Sequence, residues 1–349
     1  MATDLSVVQG NYFRDLLSQP AALKDTLEGL QESKELNSLR ARLHRGKFKS
    51  VVLSGMGSSF YGLNPLLLQL SEAGFPVVHL ETSELIHYRR RLLSPDSLVV
   101  AVSQSGRSVE ILRLLEVIRR RVALIAVTNT PDSPLAKRSD AVVFTNAGEE
   151  FSVSCKTYVS TLFALKFLGD QLCRVPLART RRELRAGLAP VAQYLGAWKT
   201  HCEFLLPTLS GIRRLFLVGR GPSLAAVGTG ALILKESTQY PAEGLSSAAF
   251  RHGPFEMLGP ETFVLVLAGV SKTRELNKRL LEDIRKQEGR AEFVAECDGT
   301  GALCLPKVPP SVQPVLEILP VEMITLALAA KEGREPGKFR LASKITTTE

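Results

Sequence analysis

One device occurs twice in this chain, and it limits the fold more than any other feature. The first copy is Val51-Val52-Leu53-Ser54-Gly55-Met56-Gly57-Ser58-Ser59; the second is Leu215-Phe216-Leu217-Val218-Gly219-Arg220-Gly221-Pro222-Ser223. Each is an apolar strand that runs into Gly-x-Gly, a hydroxyl residue and the start of a helix. Such a strand–turn–helix unit belongs to α/β folds, in which helices cover both faces of a mainly parallel sheet. Two copies in one chain are most economically explained by an internal duplication of one α/β unit.

The rest of the pattern agrees. Short Val/Leu/Ile runs at Phe48–Leu53, Val77–Leu80, Leu98–Ser103, Val122–Val127 and Ala141–Phe144 alternate with helical stretches at about Ser59–Ala73, Ser108–Arg121 and Lys156–Leu172. Continuous apolar runs of this kind are strands buried on both faces. A second round has strands at Arg214–Val218, Phe263–Ala268 and Glu292–Ala295. Its helices are Leu224–Ser237, Arg274–Glu288 and one near Val321–Lys331. The expected organisation is an N-terminal helical segment (1–47), a first α/β subdomain (48–177), a helical connector (178–210), a second α/β subdomain (211–333) and a C-terminal tail (334–349). The N-terminal segment is expected outside the core or against a partner subunit.

Composition excludes several function classes. The 349 residues are 45% hydrophobic and 23% charged, which suits two ordinary globular domains. No apolar run of the roughly 18–20 residues that span a bilayer is read, and the start lacks a basic, apolar leader; a cytoplasmic protein is the default. Cys155, Cys173, Cys202, Cys297 and Cys304 are odd in number and scattered, as are the five histidines. Reduced buried thiols are therefore expected, with no metal site and no cofactor. The net charge of +9 sits partly in Arg89–Arg91, Arg119–Arg121 and Arg179–Arg185. With only 6% aromatics and no nucleic-acid module, these runs read as solvated helix faces, not as a nucleic-acid site.

The chemistry points to an anion. Two loops beyond strand ends are rich in small hydroxyl residues: Gly57-Ser58-Ser59 and Ser103-Gln104-Ser105-Gly106-Arg107-Ser108. Free N–H groups at a helix start favour a phosphate, hydroxyls add donors without bulk, and Gly106 permits close backbone approach. No GxxxxGK[ST] is present, and Phe60 replaces the third glycine of a dinucleotide fingerprint, so nucleotide and dinucleotide sites are disfavoured. Ser108 by itself reads as an ordinary helix N-cap. Three hydroxyls and an amide around one glycine exceed what a cap needs.

With Ser103-Gln104-Ser105-Gly106 followed by Ser108, the chain resembles the SIS (sugar isomerase) family, in particular the isomerase half of glucosamine-6-phosphate synthase and stand-alone SIS-type glucosamine-6-phosphate deaminases. The stretches Thr145–Glu150, Cys155-Lys156-Thr157-Tyr158, Leu234-Lys235-Glu236, Arg251-His252-Gly253-Pro254 and Ser343–Glu349 carry the same resemblance in order. It implies two tandem SIS subdomains, each a doubly wound, flavodoxin- or Rossmann-like sheet, with the tail closing the site, and a homodimer with a shared active site. By motif matching, Ser59, Ser103, Gln104, Ser105 and Ser108 would hold a sugar phosphate, with Ser58 and Ser154 near the sugar hydroxyls. Glu236 would shuttle the proton between C1 and C2. His252, contributed by the neighbouring subunit, would assist ring opening, and Lys344 would close over the sugar and can form an imine. A carboxylate base and a readily deprotonated amine are the residue types that such chemistry needs.

The departures are specific. No glutaminase domain is seen, so glutamine is not expected to supply ammonia in cis. Ile233 stands where the synthase has a lysine, and Ala249 where a glutamate is often found. The implied activity is a sugar-phosphate aldose–ketose isomerase or an isomerising amino-sugar-phosphate deaminase. The alternatives are a fructosamine-type 6-phosphate deglycase and a non-catalytic sugar-phosphate sensor.

Overall fold

A computed structural model describes every residue except Met1, Ala2, Arg120, Thr300, Ala342, Thr347 and Glu349. Thr347 and Glu349 of the tail motif and Arg120 of one basic run thus lie outside the described residues. The chain forms two compact units, and neither is continuous in sequence. The cradle unit comprises Ala21–Glu149, Lys156–Arg185 and Leu341–Glu349; the other comprises Met1–Pro20, Glu150–Cys155 and Ala186–Arg340.

The cradle unit is built on a five-stranded sheet of β1 (Ser50–Gly55), β2 (Val77–Glu81), β3 (Ser97–Val102), β4 (Ala123–Thr128) and β5 (Ala141–Phe144), in the order β2-β1-β3-β4-β5. Every pairing is parallel. All six residues of β3 and of β4 are buried, which is why these strands read as unbroken apolar runs. The helix Val109–Ile118 lays Ile111, Leu114, Leu115 and Ile118, spaced three and four apart, against Val99, Ala101, Leu124 and Ala126. Each such side chain contributes about 2 kcal/mol by leaving water. The helix Lys156–Leu172 is buried along its length except at Lys166.

The second unit repeats the winding. Its strands are β6 (Arg214–Gly219), β7 (Ala242–Ser246), β8 (Thr262–Leu267), β9 (Arg290–Glu296) and β10 (Cys304–Leu305), in the order β10-β9-β8-β6-β7 and again parallel. The sequence pattern supplies β6, β8 and β9 with bounds shifted by one or two residues. It does not supply β7, an edge strand with only two apolar residues in five (Ala242-Glu243-Gly244-Leu245-Ser246), or the two-residue β10.

Two expectations are corrected. The N-terminal segment packs one face inward: Val8, Tyr12 and Leu16 have no exposed surface, and the ring of Phe13 packs edge-on to Trp198 at 4.6 Å, all within the second unit. Gln313–Lys331 is long and apolar enough to cross a membrane, although the eye is misled by its Glu317 and Glu322; 94% of its most apolar window is buried, so it is a core helix of this unit. Cys297 and Cys304 are not free thiols but a disulfide with Cα atoms 5.5 Å apart, because β9 and β10 bring them side by side. Cys155 and Cys202 are buried thiols, and Cys173 is half-buried.

Candidate functional site

The strand order β2-β1-β3 places the topological switch point of the cradle unit between β1 and β3. From there the chain leaves in one direction to β2 and in the other to β4. Ligands of doubly wound sheets bind at this point, beyond the carboxyl ends of the strands. The two hydroxyl-rich loops are the two loops that flank it. β1 and β3 run parallel in register with Ser54 opposite Ala101, so Met56–Ser59 and Ser103–Ser108 emerge side by side. Gly57, at φ 52°, makes the turn from β1 into the helix Ser58–Gly62.

The Ser103–Ser108 loop is braced from β4. The Ser103 N–H donates to Val127 O at 3.1 Å. The Gln104 carbonyl accepts from three neighbours: the Asn129 N–H at 3.0 Å and the Thr128 and Thr130 hydroxyls at 3.2 Å each. These braces were invisible in the sequence, because they join residues of a loop that carries no motif of its own. The Gln104 carbonyl and the Ser105 N–H share one trans peptide plane, so a carbonyl fixed toward β4 turns the Ser105 N–H the other way. Among the described residues, the N–H groups of Gln104, Ser105 and Ser108 have no hydrogen-bond partner. The Ser103 and Ser105 oxygens accept from the Gly106 and Arg107 N–H groups at 3.1 and 3.3 Å, which leaves each O–H free to donate.

Gly106 sits at φ 59°, and a Cβ there would lie 2.4 Å from Ser133 Oγ and 2.6 Å from Ser133 Cβ. Ser133 is committed: its Oγ caps the helix Pro134–Arg138 by accepting from the Ala136 N–H at 3.2 Å. Ser108 occupies the N-cap position of Val109–Ile118, yet its hydroxyl makes no capping bond, contrary to the simple cap reading. The first N–H of that helix, on Val109, donates instead to Thr346 O at 3.1 Å. The C-terminal tail is thereby tied to the loop's helix, and Lys344 lies two residues from that bond with its side chain exposed. Thr346 is a residue that motif reading did not single out.

Ser58, Ser59, Ser103, Gln104, Ser105 and Ser108 thus share one end of one sheet, and the tail segment bearing Lys344 belongs to the same unit. Ser154, Glu236 and His252 belong to the other unit. There Glu236 is half-buried near the end of the helix Leu224–Thr238, and Ile233, one turn earlier, has no exposed surface. Two hydrogen bonds relate the Glu236 and Ser154 segments: Gly337 N donates to Ser237 O at 3.1 Å, and Ser152 Oγ donates to Gly337 O at 2.7 Å. His252 is exposed in the turn after the helix Ser247–Arg251.

Glu236 and His252 lie at opposite ends of the sheet. Leu224–Thr238 starts at the carboxyl end of β6 and must return to the amino end for β7 to run parallel. His252 follows the carboxyl end of β7. The five residues of β7 alone span about 15 Å.

The fold is that of two doubly wound α/β subdomains, each with a 2-1-3-4-5 parallel sheet. Residues 47–169 match the SIS domain. The chain as a whole is similar to part of the isomerizing glutamine–fructose-6-phosphate aminotransferases. It is 27% identical over 354 residues to glutamine–fructose-6-phosphate aminotransferase [isomerizing] of Thermococcus kodakarensis, covering 96% of this chain and 58% of that protein. The chain therefore spans about three fifths of the length of the curated relatives it matches. Its fold superimposes on the C-terminal domain of glucosamine-fructose-6-phosphate aminotransferase from Francisella tularensis (TM-score 0.83, 21% identity, 95% of this chain and 98% of the other). It also superimposes on glucosamine-6-phosphate deaminase from Thermotoga maritima (TM-score 0.77, 19% identity, 97% and 100%).

Proposed function

We propose that this chain is an enzyme of sugar 6-phosphates that moves the carbonyl between C1 and C2, as an aldose–ketose isomerase or as a deaminase that isomerises while releasing ammonia. The observation that carries this reading is the switch point of the cradle sheet. The N–H groups of Gln104, Ser105 and Ser108, unpartnered among the described residues, and the hydroxyls of Ser58, Ser59, Ser103, Ser105 and Ser108 are gathered there as donors. Such a set selects a phosphate. Its similarity to phosphosugar enzymes supports the choice of a sugar as the remainder of the ligand.

In this reading Glu236 removes a proton from one carbon and returns it to the next, and Lys344 meets the sugar carbonyl. Ser154 holds sugar hydroxyls. His252 acts on the ring from a second copy of the chain. The separation of Glu236 from His252 along β7 supports that assignment, since one copy holds them at opposite sheet ends. A homodimer with shared sites, working in the cytoplasm, is part of the proposal.

The test is direct. Purified protein is incubated with glucosamine 6-phosphate and with fructose 6-phosphate, and both ammonia and hexose-phosphate interconversion are followed. Turnover that falls by at least 10²-fold in Glu236→Gln is expected. No turnover of either sugar removes the named substrates, and an unchanged rate in Glu236→Gln removes the base. One observation favours a second reading, a sugar-phosphate sensor: the fully buried Ile233 offers no acid or base where the synthase has lysine. Thermal stabilisation by a sugar phosphate without turnover of any would decide for it. Turnover of glycated-amine 6-phosphates alone would decide for a deglycase.

A further inference from the structure

The second unit repeats the strand order of the cradle unit, and the repetition reaches two donors of the cradle. Gly55-Met56-Gly57-Ser58-Ser59 after β1 corresponds to Gly219-Arg220-Gly221-Pro222-Ser223 after β6. Gly57 and Gly221 both take a positive φ, 52° and 58°. Ser223 therefore stands where Ser59 stands. After β3, Ser103 N donates to Val127 O of β4; after β8, Ala268 N donates to Val294 O of β9, at 2.9 Å. Gly269 therefore stands where Gln104 stands. The switch point between β6 and β8 presents the same hydroxyl and the same N–H as its counterpart between β1 and β3.

In the second unit these donors are already taken. Glu317, only 1% exposed, accepts from Ser223 Oγ at 2.9 Å and from Gln313 Nε2 at 3.0 Å, both on its Oε1. The Gly269 N–H also acts on this carboxyl and favours its charged form, though short of full hydrogen-bond geometry, so Oε2 has no partner among the described residues. A buried carboxyl with one oxygen unpartnered is held in place by what surrounds it, not by solvent. A carboxylate offers two acceptor oxygens to donors that otherwise suit a phosphate.

We propose that Glu317 is an internal stand-in for the phosphate: it fills the anion cradle of the second unit, so that the chain holds one phosphate and the second cradle is latent. This rests on the reading of the Ser103–Ser108 loop as the working cradle. Burial of Glu317 opposes its charge, and the donors from Ser223, Gln313 and Gly269 offset part of that opposition.

The experiment is calorimetric titration of the full chain with inorganic phosphate. One site per chain is expected in the wild type, none in Ser59→Ala/Ser105→Ala, two in Glu317→Ala, and one in the triple variant. If Glu317→Ala does not fold, Glu317→Ser, which leaves a short hydroxyl for Ser223 and Gln313, is read in the same way. Two sites in the wild type, or one site in a folded Glu317→Ala or Glu317→Ser, overturns the proposal. Phosphate binding undiminished in Ser59→Ala/Ser105→Ala would instead overturn the assignment of the working cradle. The triple variant separates the two, because only the second cradle is left to it.

Discussion

Gly106→Ala is the sharpest probe of the working cradle, because the structure says what the added methyl meets. It would lie 2.4 Å from Ser133 Oγ and 2.6 Å from Ser133 Cβ, against a floor near 3.4 Å for easy contact. Something must move by close to an ångström. Ser133 has no exposed surface and caps Pro134–Arg138, so it cannot swing away without giving up the Ala136 N–H. Losing a cap costs about 1 kcal/mol. Holding alanine at φ 59° costs about 1 kcal/mol more. Residual overpacking brings the destabilisation to about 3 kcal/mol. The alternative is for the loop to shift, which breaks the Gly106 N–H bond to Ser103 Oγ and turns the outward N–H groups off their target. Urea denaturation should then show the loss of about 3 kcal/mol, and titration with inorganic phosphate should show affinity weakened at least tenfold. Adding Ser133→Gly removes the two nearest atoms and leaves Leu135 Cβ at 3.1 Å, and glycine as an N-cap costs only a few tenths of a kcal/mol. The double variant should recover more than half of the loss. Stability within about 0.5 kcal/mol of wild type for Gly106→Ala, or no recovery in the double variant, refutes this account of the loop.

The other predictions are independent of it. Burial pushes the Glu322 carboxyl up to about 8, with the Gln19 amide at 2.8 Å opposing the rise and Glu150 adding to it. The folded state therefore prefers the neutral form. Its stabilisation is complete below about 4.5 and is lost as pH climbs to about 8, a change on the order of 4 kcal/mol. Glu322→Gln should flatten the fall in stability between pH 5 and 8; an unchanged slope would remove the cause. Thiol titration of the unfolded, unreduced chain should count three free thiols, and Cys304→Ala should cost about 2 kcal/mol without reductant and little with it. Lys344→Ala should lower turnover while leaving the melting temperature within a degree or two, since its side chain is exposed. A drop of many degrees would make Lys344 structural.

Much of the cradle was legible in the sequence because it is local. Gly-x-Gly after an apolar run, and hydroxyls around Gly106, are properties of neighbouring residues, and the chain can fold such a turn only in a few ways. The alternation of buried strands with helices gave the α/β class for the same reason: both faces of a parallel sheet need apolar cover, which leaves unbroken apolar runs in β3 and β4. β7 escaped because an edge strand next to a helix needs few apolar residues. The sequence leaves open which core the N-terminal segment faces, because an amphipathic helix shows its apolar face but not the partner of that face.

What only the tertiary structure decided is pairing at a distance. The sequence shows two copies of a strand–turn–helix device but cannot say that one is open and the other filled. That depends on Glu317, ninety-four residues from Ser223, returning to the second switch point. Nor does a run such as Gln313–Lys331 reveal that its two acids are buried, since periodicity reports faces and not partners. The tie from Val109 to Thr346 is of the same kind. Local sequence set the shape of each loop; the donors left over in each were settled by carboxylates and carbonyls that only the folded chain brings to them.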